Sequence, residues 1–508
     1  MQHTSVKRKR FLLAPFFILL FVCAAFSQSS VVDSRNSLEG FDGQVEQVMS
    51  DLHVPGAAVG IIQGDRVILA KGYGVREIDT PNRVTADTIF AVASLTKSFT
   101  TTAMATLVDQ GKLKWDVPVR TYLPSFQLYD PIATQLITPR DMLTHRSGLP
   151  RHDFIRVSTF LTREELVRRL QYLEPSLTFR EGFQYNNLMY VAAGYMAGHI
   201  AGMSWEELVK QRLFVPLEMT SSNTSVDETQ RQANFARPHV WENGSAKVTG
   251  FYNYQRFGIG PNGAVNSTVN DFLKYLQMHL NGGVFNGTQV VSKGEVSELH
   301  RPAELSDRPA ELSNGMRNYA LGWFVQTYHD HIVLEHGGAI TGFTSQMILI
   351  PDQKIGIVVF NNLESALPHI VAWSLVDRLL GLKARDSMSE SRHEEQQGES
   401  AEEQENKKME SGRLADAHPT LDLSNYVGAY FHPAYGTIYV VREGEDLAVQ
   451  FDAIKLQLKH YNYDWFQIES ESYKTKQLAQ FRIDDHGKVT QLLLPLESRV
   501  KPFEFAKQ

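Results

Sequence analysis

Cysteine is almost missing from this chain: Cys23 is the only one in 508 residues. A disulfide framework is therefore excluded, and stability has to come from packing alone. A surplus of one charge is missing too. The 50 Lys+Arg against 57 Asp+Glu leave a net charge of −7, which gives no electrostatic footprint for nucleic acid. No apolar run reaches the roughly 20 residues a membrane-spanning helix needs; a run over residues 11–26 falls short. No glycine fingerprint follows a strand, and no Walker loop is found, so no nucleotide cofactor is implied. The nearest approach to a metal-ligand group is Tyr328-His329-Asp330-His331. Two histidines in a loop, with no further ligands to hand, do not make a zinc site. Neither a metal nor a cofactor is expected.

What is present begins with a leader. Lys7-Arg8-Lys9-Arg10 precede the apolar run, and Ala25-Phe26-Ser27 offers a small-residue cleavage site before Gln28. Residues 1–27 thus read as a secretory signal peptide, and the protein is expected to be exported, secreted or periplasmic. Membrane association would require the leader to be retained or Cys23 to be lipidated, and Val22 is bulkier than the small residue a lipidation site favours. The N-x-S/T sequons at Asn223, Asn243, Asn266 and Asn286 matter only in a eukaryotic secretory pathway and leave the host open.

Three short segments carry chemistry: Ser94-Leu95-Thr96-Lys97, Tyr185-Asn186-Asn187 and His336-Gly337-Gly338. In the first, a hydroxyl and an amine stand three residues apart, which on a helix is one turn and one face, so Lys97 can reach Ser94 Oγ. A serine hydroxyl is a poor nucleophile until something accepts its proton, and this spacing supplies a base. Apolar Phe99, Ala103, Leu107 and Val108 continue the helix to about Gln110, where Gly111 ends it.

Together with phrases such as PGAAVGIIQGDRVILAKGYGV at 55–75, MLTHRSGLP at 142–150, YALGW at 319–323 and HGGAITGF at 336–343, these segments resemble the serine β-lactamase and penicillin-binding-protein superfamily, in particular its class C branch of β-lactamase-related esterases and peptidases. The resemblance implies an α+β fold: an antiparallel sheet flanked by helices plus a helical subdomain, over about 35–383. It implies that Lys97 and Tyr185 share the proton transfers and leaves open which of them is the base. Asn187 would orient the lysine or hold a substrate carbonyl. His336 stands where penicillin-recognising relatives usually carry lysine, and Gly337 and Gly338 would let an acyl group approach the strand. The backbone N–H groups of Ser94 and Ala339 would form the oxyanion hole. His145, inside the THRSGL phrase, is read as structural.

Periodicity gives further elements. Leu38, Phe41, Val45, Val48 and Leu52 mark a helix over 35–53; Gln63-Gly64-Asp65 marks a hairpin turn; Thr138, Pro139 and Asp141 suit the start of a short helix. Helices are expected at 163–173, 188–201, 204–214, 269–281 and 366–381. Between 386 and 410 nine acidic residues face three basic ones with almost no large apolar residue, so 384–419 is expected to be a flexible acidic linker. From 420 to 508 short alternating runs predict a small antiparallel β-barrel-like domain, similar to the lipocalin-like domain attached to some of these hydrolases. Tyr426, Tyr430, Tyr439, Trp465 and Phe466 are read as its core.

The expected activity is that of an exported serine hydrolase working through an acyl-enzyme on small esters, amides or peptides. A histidine is only partly charged near neutral pH, so His336 argues for an esterase or peptidase over a β-lactamase. A penicillin-binding DD-peptidase and a non-catalytic secreted binding or matrix protein are the alternatives. The expected partner is a small-molecule or peptide substrate.

Overall fold

A computed structural model describes residues 36–508 except 253, 255–257, 310–315 and 470–475. The expected leader and Cys23 lie outside the described residues. Among those described, no helix is long and apolar enough to cross a membrane.

An eight-stranded antiparallel sheet runs, in spatial order, Arg66–Gly74, Gly56–Gln63, Ile355–Asn361, Phe343–Ile350, His331–Ile340, Phe324–Tyr328, Met316–Tyr319 and Glu304–Pro309. Gly56–Gln63, second in this order, is an interior strand because it pairs on one side with its hairpin partner and on the other with Ile355–Asn361, Val59 lying opposite Val359. The hairpin turns at Gly64, whose φ of 60° is one that glycine adopts without penalty. Ile355–Asn361 is buried along its whole length, and Gly56–Gln63 nearly so. Their sequences are therefore unbroken apolar runs, because helices cover both faces of the sheet. One face packs on Phe41–Asp51 and Leu367–Leu379 through Phe41, Val45, Val48 and Trp373. The other carries the nucleophile helix Thr96–Asp109, the helix Val269–Leu280 and the helical subdomain.

The expected helices are present, with shifted ends. Residues 163–169, 187–201, 205–209, 269–280 and 367–379 are α-helical, and Lys210–Phe214 forms a π-turn that extends the third of these. Pro139–Leu143 starts as its sequence predicts: Thr138 Oγ1 accepts from Asp141 N–H, while the Asp141 carboxylate accepts from Thr138 N–H.

The acidic segment differs from expectation. Ser387–Ser411 is a single 25-residue helix. Glu, Gln, Lys and Met have high helix propensity whatever their net charge, and Lys407 pairs with Glu403 one turn earlier. The helix is fastened at its end, where Tyr461 Oη donates to Met409 O.

Beyond it, eight strands from Gly428–His432 to Phe503–Lys507 form a closed antiparallel barrel, sealed where Tyr430 faces Lys507 and Phe431 faces Ala506. Tyr426, Tyr430 and Phe466 fill it together with Phe481. Tyr439 and Trp465 do not: they are 54% and 39% exposed, because strand alternation sends them to the outer face. The barrel docks on the helical subdomain. Phe154 packs against Tyr435 and Phe451, Arg169 Nη1 donates to Ala434 O at 2.9 Å, and His152 N–H donates to Glu497 Oε2 at 2.8 Å.

Candidate active site

Ser94 lies in a single 3-10 turn, Ala93–Leu95, that leads into the helix Thr96–Asp109. Ala93 before it has a φ of 47°, left-handed backbone that an L-residue holds only when its surroundings impose it. The strand His331–Ile340 passes so close that a Cβ on Gly338 would sit 2.5 Å from Val92 O and 3.0 Å from Ser94 N. The missing side chain at 338 therefore makes room for the nucleophile's own backbone, not for an approaching substrate. A Cβ on Gly337 would meet only the end of Gln346, at 3.0 Å.

Lys97 is fully buried. Its Nζ lies 3.2 Å from Ser94 Oγ, 2.8 Å from Asn187 Oδ1 and 3.1 Å from Asn262 O. Two of these oxygens belong to carbonyls, which only accept, while the third belongs to a hydroxyl that can also donate. A neutral amine satisfies all three: two N–H groups go to the carbonyls and the lone pair receives the Ser94 hydroxyl. Burial, followed by the positive charge of Arg151, holds the lysine well below its ordinary range, and Asp153 opposes that shift.

Asn187 is the first residue of the helix Asn187–Ala201. Its neighbour Asn186 does the capping, accepting from Met189 N–H at 2.9 Å, which frees Asn187 for the site. The Asn187 amide accepts from Lys97 and donates to Asp153 Oδ1 at 2.9 Å. Tyr185 lays its ring 4.7 Å from Lys97 Nζ, with Arg151 5.3 Å from the same ring.

His336 is 2% exposed. Its Nδ1 lies 2.7 Å from Gly337 O, which only accepts and so places a proton on Nδ1, and its Nε2 lies 3.1 Å from Tyr319 Oη. The ring is thus held inside the protein, although it borders the cleft. His145 sits behind Tyr185 with ring centroids 4.5 Å apart and accepts from Asn186 N–H through Nδ1. His331 of the loop cluster pairs with Asp352 at 2.6 Å.

Ala339 stands opposite Thr344 on the next strand. Thr344 N–H turns the other way, to Asn361 Oδ1 at 3.0 Å, so the Ala339–Thr344 pair is a non-hydrogen-bonded one. The Ala339 N–H accordingly points away from that strand. On its outer side the neighbouring strand pairs only as far as Glu335. Ser94 and Ala339 both line a cleft of about 290 Å³ on the Tyr185 side and a second cavity of about 250 Å³ on the other side, where Asn187, Tyr252 and Tyr254 form a wall.

Sequence reasoning missed Arg151, Asp153 and Arg156. Asp153 Oδ1 accepts from Arg156 Nε at 2.7 Å, and Oδ2 lies 2.6 Å from Arg151 Nη2. Burial alone would raise this carboxyl, but Arg156 and Arg151 hold it well below its ordinary range. The available signal was R-x-D-x-x-R directly after SGLP, which places Asp153 and Arg156 on one helical face.

With that geometry in view, comparison with known proteins gives a consistent answer. Residues 41–381 match the Beta-lactamase family, and residues 413–507 match a domain described as of unknown function, DUF3471. The Unguisins hydrolase ungD' of Aspergillus campestris is 25% identical across 82% of this chain and 80% of its own length. An octameric penicillin-binding protein homologue from Pyrococcus abyssi shares the fold with a TM-score of 0.60 at 23% identity, over 92% of this chain and 100% of that one. The D-amino acid amidase from Ochrobactrum anthropi SV3 shares it with a TM-score of 0.55 at 24% identity, over 69% of this chain and 98% of that one. The match extends over most of the chain and takes in the serine, lysine, tyrosine and asparagine just described: the chain belongs to the Beta-lactamase family and is a serine hydrolase.

Proposed function

We propose that the protein hydrolyses small esters, amides or peptides through an acyl-enzyme on Ser94. One observation carries this reading: Lys97 Nζ, buried and held below its ordinary range, stands 3.2 Å from Ser94 Oγ. A lysine in that state is a base before it is a cation. In acylation Lys97 takes the Ser94 proton as Oγ attacks the carbonyl carbon. The N–H groups of Ser94 and Ala339 receive the oxyanion, each donor being worth roughly 3–4 kcal/mol of barrier. The tetrahedral intermediate collapses as the leaving atom takes a proton, for which Tyr185, lining that side of the cleft, is the conduit. Water then repeats the sequence with the acyl group in place of the substrate. The hydrolase relative supports this chemistry. The buried His336 supports an esterase or peptidase rather than a β-lactamase.

The basic residues 7–10, the apolar stretch 11–26 and the small-residue site before Gln28 support export of the mature chain. The mass of the secreted protein tests this, with Gln28 as the expected first residue.

Intact-mass spectrometry of wild type and Ser94→Ala, with a fluorophosphonate and with a penicillin, tests the catalytic reading. The expected result is a fluorophosphonate adduct on wild type that is lost in the variant. A lasting penicillin adduct moves the activity to a penicillin-binding peptidase. A folded wild type that takes neither reagent leaves a binding or matrix role.

A further inference from the structure

The two cavities beside Ser94 differ in charge. The cavity on the Asn187 side contains one residue of each sign, Arg156 and Glu364. The cleft on the Tyr185 side is lined, among the described residues, by Arg151 and His369 and by no carboxylate. Resting on the acyl-enzyme reading above, we propose that this cleft is a leaving-group subsite for an anionic substrate, with Arg151 as the residue that binds the negative group. A carboxylate on the departing alcohol or amine, as at the C-terminus of a peptide, is the group it fits.

Four observations lead there. First, the departing atom must face the group that protonates it; Tyr185 lines this cleft and not the opposite cavity, which makes this the leaving side. Second, Asp153 cannot neutralise the arginines around it. It is one carboxylate shared by Arg151, Arg156 and the Asn187 amide, so it cannot by itself cancel both guanidinium charges. Third, Arg151 is placed to use that charge. Its side chain is 51% exposed, and it is fixed from behind by the ion pair to Asp153 and by the Tyr185 ring 5.3 Å away. A guanidinium held in this way loses little entropy on binding a planar anion. Fourth, His336 does not aim its ring nitrogens into the cleft: the ring is buried, with Nδ1 turned to Gly337 O and Nε2 to Tyr319 Oη. The cation of this cleft thus comes from the segment after SGLP, not from the strand.

The test compares two esters that differ in one charge, 3-acetoxybenzoate and its methyl ester, each corrected for its hydroxide-catalysed rate. Wild type, Arg151→Gln and Arg151→Lys are assayed at the pH plateau of each enzyme, and fluorophosphonate titration counts folded sites. Wild type is expected to favour the anionic ester, and the preference should shrink in 0.5 M salt as the charge is screened. Arg151→Gln should lower the anionic-to-neutral ratio of kcat/KM at least 10-fold, chiefly through KM, and Arg151→Lys should restore part of it. An unchanged ratio in Arg151→Gln would overturn the proposal while leaving the hydrolase intact. A wild type that titrates with fluorophosphonate yet shows no preference would also overturn it. A wild type that neither titrates nor turns over either ester would instead remove the hydrolase reading on which the proposal rests.

Discussion

The Asn187 side chain bridges Lys97 and Asp153, with its oxygen 2.8 Å from the amine and its nitrogen 2.9 Å from the carboxylate. A neutral group thus separates two residues that would otherwise form an ion pair, and this separation keeps the lysine available as a base. Asn187→Asp would place a carboxylate directly on the amine and favour the ammonium. Activity requires the neutral amine, so it rises with pH through the Lys97 pKa. The acidic limb of kcat/KM should therefore move to higher pH in Asn187→Asp, with activity at pH 7 reduced more than 10-fold. A pH profile of ester hydrolysis checks this.

Removal of Asp153 should act in the opposite direction on the lysine and against stability. Asp153 raises the Lys97 pKa, so Asp153→Asn should move the acidic limb to lower pH. The Asp153 pKa is depressed in the folded state, so its stabilisation is present above the ordinary carboxylate range and fades as pH falls through the lower folded value. The side chain is about a quarter exposed, and we expect a loss of about 2 kcal/mol at pH 7. Urea titrations of wild type and variant should differ at pH 7, and the difference should begin to shrink only below about pH 4.

Gly338→Ala should be far more damaging than Gly337→Ala. At 338 a methyl group meets backbone at Val92 and Ser94 at 2.5 and 3.0 Å, which cannot yield without moving the nucleophile, whereas at 337 it meets only a side-chain end, that of Gln346, at 3.0 Å. We expect Gly338→Ala to cost about 1–3 kcal/mol of stability and more than 100-fold in the rate of fluorophosphonate labelling. Gly337→Ala should remain within about 5-fold of wild type. Thermal melts and labelling kinetics measure both.

The barrel should matter to catalysis through Glu497 and Arg499. Glu497 holds the N–H of His152, next to Asp153, and Arg499 Nη1 donates to Gln184, next to Tyr185, at 3.0 Å. Glu497→Ala is expected to lower kcat several-fold and to speed hydrogen exchange over 151–156, while the barrel itself stays protected. Equal loss of protection in barrel and catalytic domain would show a general loss of fold instead.

Much of the site was legible in advance because its first contact is local. Ser94 and Lys97 are one helical turn apart, and their spacing alone brings amine and hydroxyl together. Arg151 and Asp153 escaped notice because their meaning depends on Asn187, 34 residues beyond Asp153 and joined to it only by folding. Asn262 contributes a backbone carbonyl to Lys97, and a backbone atom leaves no mark in residue identity. In the barrel, Tyr439 and Trp465 were placed in the core on composition alone, when strand alternation decides which aromatics face inward. The acidic segment misled because net charge argues against a packed core but says nothing against a solvated helix.

The pairing of Val59 with Val359 has a kinetic consequence. It closes a loop of about 300 residues, at an entropic cost of roughly 5 kcal/mol from the logarithm of its length, and all three motif segments lie inside that loop. The Ser94 turn is itself held from far along the chain, by Gly338 and by Ser345, whose Oγ donates to Val92 O, and in the unfolded chain Lys97 is a solvated, protonated amine. The nucleophile is therefore switched on only by long-range contacts, and incompletely folded molecules carry an inert serine.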